Sequence, residues 1–95
     1  MMDPSGWTEL REAVLTAHAL GQMSRRRISA EDVRGVLLAP QAVLPIRKGR
    51  VVVQGPAASG GKDYLLRVFV DVDRRPPEIV TAYRTGKIDK YRSKP

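Results

Sequence analysis

The sequence predicts an α+β domain in which two N-terminal helices pack on one face of a roughly four-stranded antiparallel sheet. Three observations lead there. Apolar residues recur at helical spacing through the first third of the chain, a helix-capping pattern opens at Ser29, and beyond Pro40 the period changes to the alternation of strands. The 95 residues allow one hydrophobic core, and 42% apolar with 28% charged residues describes a globular chain rather than a disordered one.

The first helical stretch starts at Trp7 and sets Leu10, Val14, Ala17 and Gly21 on one face, reaching about Arg25. It is either one helix or two, with Thr16 capping the second. The next helix is marked more sharply. Ser29 and Asp32 form a Ser-x-x-Asp cap, Ile28 stands where it staples onto Val33, and Val33, Val36 and Leu37 make a short apolar stripe that Pro40 ends. Val43 to Arg47 and Arg50 to Gln54 then read as two short strands joined by a tight Lys48-Gly49 turn. Gly55 to Asp63 has three glycines and no period, which predicts a loop. Tyr64 to Val72 is the strongest strand, with Leu66, Val68, Val70 and Val72 on one side and Arg67 and Asp71 on the other. Arg74-Arg75-Pro76-Pro77 makes a turn and Ile79 to Thr85 a last strand. The expected organisation is one domain over 1–95, loose over 1–6, with a basic tail or short helix over 86–95.

Charge is the clearest compositional clue to function. Seventeen Lys and Arg against ten Asp and Glu give a net charge of +7, which favours polyanionic partners because each phosphate contact releases condensed counterions. The absence of cysteine excludes disulfide frameworks, thiolate metal sites and cysteine nucleophiles, and a lone histidine excludes a His-rich zinc centre. Gly55 to Asp63 is not a phosphate-binding P-loop, because Asp63 stands where Ser or Thr should follow the lysine. Asp71 and Asp73 share a strand face but have no third acidic neighbour, so they read as charges at a strand end rather than as metal ligands. No cofactor is expected. No apolar run approaches the roughly 18 residues of a membrane span, and Met1-Met2-Asp3-Pro4 opens without a signal sequence, so a cytoplasmic protein is expected.

Two segments carry a resemblance. The first is His18-Ala19-Leu20-Gly21-Gln22-Met23-Ser24-Arg25-Arg26-Arg27-Ile28-Ser29 followed by Glu31-Asp32-Val33. The second pairs Tyr64-Leu65-Leu66-Arg67-Val68 with the stretch from Ile79 through Tyr83-Arg84-Thr85-Gly86-Lys87 to Tyr91. Over about residues 15 to 92 the chain resembles a bacterial family known as domain of unknown function 4258. That family is similar in layout to the RelE/ParE and BrnT toxins of toxin–antitoxin pairs, which are small basic α+β domains, several of them metal-independent ribonucleases. The resemblance therefore implies a RelE-like fold and an RNA-cleaving or translation-blocking toxin with a small acidic antitoxin as partner. The chain departs from the family pattern at Gln22, where Arg is usual, and at Arg27, where Gly is usual. The first removes a charge from any phosphate clamp. The second puts a side chain where a left-handed residue is expected, at a cost on the order of 1 kcal/mol.

Cleaving RNA without metal takes a base for the ribose 2′-hydroxyl, an acid for the leaving 5′-oxygen and cations on the phosphate. His18 is the one imidazole and the candidate acid or base; the plainer alternative is a helix-face histidine packed against Val14 and Leu15. Arg26 follows it by eight residues, a little over two turns, and is the first candidate for the phosphate. Tyr83 and Arg84 are adjacent on a strand, so one at most looks into a given cleft. The apolar count does not choose between Ile79, Thr81 and Tyr83 on one face and Val80, Ala82 and Arg84 on the other. The catalytic set is thus His18, Arg26, Arg84 and Tyr83, with Arg50, Arg67, Lys87 and Lys90 as phosphate-binding residues. The expected function is a RelE/BrnT-like endoribonuclease toxin acting on RNA or the ribosome. The same charge equally suits a non-catalytic module that binds RNA, ribosome or DNA, and an open sheet edge suits a protein-interaction role.

Overall fold

The computed structural model describes residues 10–86. The elements run β1 (Val14–Leu15), α1 (Ala17–Arg26), α2 (Ala30–Leu38), β2 (Ala42–Arg47), β3 (Arg50–Ser59), β4 (Lys62–Asp71) and β5 (Glu78–Thr85). The sheet has five strands in the order β1-β5-β4-β3-β2. Strands β2 to β5 form an antiparallel meander, and β1 adds to the far edge parallel to β5. The α+β class stands, while the expected four-stranded antiparallel sheet is corrected to a five-stranded mixed one.

The extra strand comes out of the stretch read as one helix or two, and the alternative with Thr16 as the cap of the second is the one found. Thr16 is the reason. Its hydroxyl oxygen accepts from the Ala19 amide at 3.1 Å, capping α1, and its hydroxyl donates to the Ile79 carbonyl at 2.9 Å. The backbone before it is therefore extended, with the Val14 amide donating to Pro77 and the Thr16 amide to Ile79. The apolar stripe breaks accordingly: Leu10 and Ala13 are buried while Val14 is 42% exposed.

The end of α1 is a Schellman turn. Ile28 N–H bonds back to the Met23 carbonyl and Arg27 N–H to that of Ser24, with Arg27 left-handed at φ 57°. Met23 and Ile28, the pair that such a turn brings together, are both buried. Helix α2 begins as its sequence signals, with the Ser29 hydroxyl accepting from the Asp32 amide at 3.0 Å.

The glycine-bearing stretch after Gln54 is strand, not loop. Register runs unbroken from Gly55↔Leu66 to Ser59↔Lys62, and Gly60 and Gly61 alone make the turn, both at positive φ. Pro56 is tolerated because the Gln54 carbonyl faces β2, accepting from Gln41. The proline nitrogen, two residues on, points the same way, where β2 has already ended at Ala42.

Both helices cover one sheet face. Ala19, Met23, Val33, Val36 and Leu37 form a single core with Val51, Val53, Leu66, Val68, Val70, Ile79 and Ala82. Each of the larger aliphatic chains contributes about 1.5–3 kcal/mol by burial. Among the described residues no helix is long and apolar enough to cross a membrane.

Candidate functional site

The site grows from an irregularity in β5. Val70 pairs with Ile79 and Phe69 with Thr81, so Val80 is an extra residue in the ladder. This bulge reverses the alternation midway along the strand. Ile79 and Ala82 both enter the core, while Thr81 and Tyr83 come to the opposite face of the sheet beside Phe69 and Arg67. Simple alternation would have kept Ile79, Thr81 and Tyr83 together, which is why counting apolar residues could not orient the strand.

Helix α1 lies along β5 beyond the two residues that β1 covers. His18, Gln22 and Arg26 recur every four residues and form one stripe beside the buried pair Ala19 and Met23. The stripe is tied to β5: Arg26 donates to the Ala82 carbonyl at 2.8 Å and to the Thr81 hydroxyl at 3.3 Å. The Thr81 hydroxyl in turn donates to the Gln22 side-chain oxygen. Between stripe and sheet opens a cleft of about 500 Å³, lined by His18, Gln22, Arg26, Arg50, Phe69, Val80, Thr81 and Tyr83.

Behind the cleft a cross-strand row holds Tyr83 in place. Gln54, Arg67 and Tyr83 are register partners on β3, β4 and β5. Arg67 Nε donates to Gln54 Oε1 at 3.1 Å, and Arg67 also donates to the Tyr83 hydroxyl at 2.6 Å. Its guanidinium stands 5.7 Å from the ring centres of both Phe69 and Tyr83. Because the Tyr83 oxygen accepts from Arg67, its own proton is free to point elsewhere.

The structure brings His18, Arg26, Tyr83 and Arg50 together and sets Arg67 directly behind them. Arg50 is a tempered cation. Its Nε and a terminal nitrogen clasp Asp71 at 2.6 and 3.1 Å. That hydrogen bond holds the Asp71 carboxyl below the ordinary carboxylate range against the opposing effect of burial, and it raises Arg50 further above its ordinary value.

Arg84 is separated from the set. It pairs with Leu66 on the helix-covered face, donates to the Arg27 carbonyl at 3.0 Å and lies 5.7 Å from the Tyr64 ring centre. Its reach is the end of α1, not the cleft. Lys87 and Lys90 lie outside the described residues. Three residues of the cleft were not singled out from sequence, Phe69, Val80 and Thr81. Phe69 carried a signal, being an aromatic that alternates with Arg67 and Asp71 on the polar side of β4. Thr81 carried none, because only the bulge turns it outward. Among the described residues no cluster of three or more His, Cys, Asp or Glu could hold a metal ion.

The family model described as "Domain of unknown function (DUF4258)" matches residues 15–84. That span runs from β1 to the end of β5 and includes every residue of the cleft, and the chain belongs to this family. No curated protein and no solved structure matches the chain.

Proposed function

We propose that this protein is a metal-independent endoribonuclease of the RelE/BrnT-like toxin type. It would act on RNA at the cleft and be neutralised by a small acidic antitoxin. The observation that carries the reading is the convergence of His18, Arg26 and Tyr83, from a helix and a strand more than fifty residues apart, on one open cleft. A neutral His18 imidazole takes the proton of a ribose 2′-hydroxyl as that oxygen attacks the adjacent phosphorus. The bond from phosphorus to the 5′-oxygen breaks, and the Tyr83 hydroxyl, hydrogen bonded from behind by Arg67, gives its proton to that leaving oxygen. The products are a 2′,3′-cyclic phosphate and a 5′-hydroxyl end. Arg26 supplies the positive charge that offsets the extra negative charge on the five-coordinate phosphorus.

A second reading has a specific observation behind it: Gln22 lines the cleft where the family usually has Arg, and Asp71 already neutralises Arg50. Both reduce the charge offered to phosphate and suit a module that binds RNA without cutting it.

Induced expression in a bacterial host separates the two. For a ribonuclease, the wild type arrests growth and mapped RNA ends carry 5′-hydroxyls, while His18→Ala at matched soluble expression does neither. Growth unaffected by the wild type, together with salt-dependent RNA binding by the purified protein, would leave the binding module. Arrest by both forms alike would remove His18 from the mechanism.

A further inference from the structure

We infer that the Phe69 ring is a stacking platform for one unpaired nucleobase, so that the cleft takes single-stranded RNA. This rests on reading the cleft as an RNA site and specifies its substrate. Phe69 is half-buried, lies on the sheet face opposite the core cluster and takes no part in that cluster. It is the aromatic floor of a cleft whose other walls are mostly polar, and a site for phosphate alone has no use for it. Its ring is braced rather than loose. Tyr83 stands 6.0 Å away, tilted by 38°, and the Arg67 guanidinium holds station beside both rings through its bonds to Gln54 and Tyr83. A fixed ring stacks at lower entropic cost than a mobile one.

The remaining contacts agree with a nucleotide as occupant. The cleft's volume of about 500 Å³ sits within the roughly 300–1,000 Å³ of small-molecule sites, and Arg26 lines the same cleft from α1 to meet the phosphate. In a duplex the faces of each base are covered by its neighbours, so a ring can stack only on a base that is unpaired.

The test titrates wild type, Phe69→Leu and Phe69→Tyr with fluorescein-labelled probes by anisotropy. The probes are a short 2′-O-methyl oligouridylate, which cannot be cut, an abasic strand of the same length and charge, and an RNA duplex. The wild type is expected to bind the oligouridylate about ten-fold more tightly than the abasic strand, the usual scale for one stacked base. Phe69→Leu keeps the apolar bulk and should lower oligouridylate affinity to the abasic level. It should leave abasic and duplex binding, and the slope of affinity against salt, unchanged. Phe69→Tyr should keep the preference. Equal binding of oligouridylate and abasic strand by the wild type, or an unaltered preference in Phe69→Leu, overturns the platform while leaving an RNA site. No binding of any probe overturns the RNA site and the platform with it.

Discussion

The two faces of the β3–β4–β5 sheet are written by alternate residues of the same three strands, yet they do different jobs. One face carries Val51, Val53, Leu66, Val68, Val70, Ile79 and Ala82, and both helices close over it. The other carries the rows Gln54–Arg67–Tyr83 and Val52–Phe69–Thr81 and the Arg50–Asp71 pair. The first face is held by area, to which any aliphatic chain of suitable volume contributes. The second adds directed bonds, in which each partner is specific, to the buried chains of Val52 and Leu65. The covered face therefore tolerates changes of shape and punishes charge, whereas the other face also punishes loss of a hydrogen-bonding partner.

The most severe way to break this contrast is to move polarity across it. Val68→Asp buries an unpaired carboxylate among aliphatic chains and should cost more than about 4 kcal/mol, read as loss of the cooperative transition in thermal circular dichroism.

Neighbours in sequence sharpen the comparison further. On the proposed mechanism Tyr83→Phe deletes the hydroxyl in the cleft and should lower RNA cleavage by about 100-fold, and it also takes an acceptor from Arg67 at a cost of about 1 kcal/mol. Arg84→Ala acts on the other face and should lower stability alone. It loses the bond to the Arg27 carbonyl and about 1 kcal/mol of stability, and it keeps the cleavage rate.

The Arg50–Asp71 pair gives a pH signature. Asp71 titrates lower in the folded protein than in the unfolded chain, so its stabilisation is fully present above the ordinary Asp value of about 3.9 and is lost as pH falls below it toward the folded value. Asp71→Asn should cost about 1–3 kcal/mol at neutral pH and flatten the fall in stability on the acid side, measured by urea titration at several pH values. The smallest effect expected is a gain. Arg27→Gly relieves the left-handed residue after α1 and should add up to about 1 kcal/mol, seen as a small rise in the urea midpoint.

Much of the covered face was legible. Alternation placed Leu66, Val68 and Val70 together, the Ser29 cap set the start of α2, and Lys48-Gly49 announced its hairpin. Each of these signals is local, spanning a few residues, and the physics that reads it is local too. The errors fell where a distant partner decided. Val14 fits a helical stripe as well as a strand until the Pro77 and Ile79 carbonyls accept from the Val14 and Thr16 amides. Gly55 to Ser59 has no period of its own and is strand because β4 pairs with it.

The site divides in the same way. Sequence chemistry alone determined the inventory: one histidine, no cysteine, a basic balance and the recurrence of His18, Gln22 and Arg26 along one helix face. Tertiary structure alone decided who meets whom. A single extra residue in the β5 ladder sends Tyr83 to the cleft and Arg84 to the end of α1, because a strand's side chains follow the register of its partner. That register is set by β4, which the sequence of β5 does not contain.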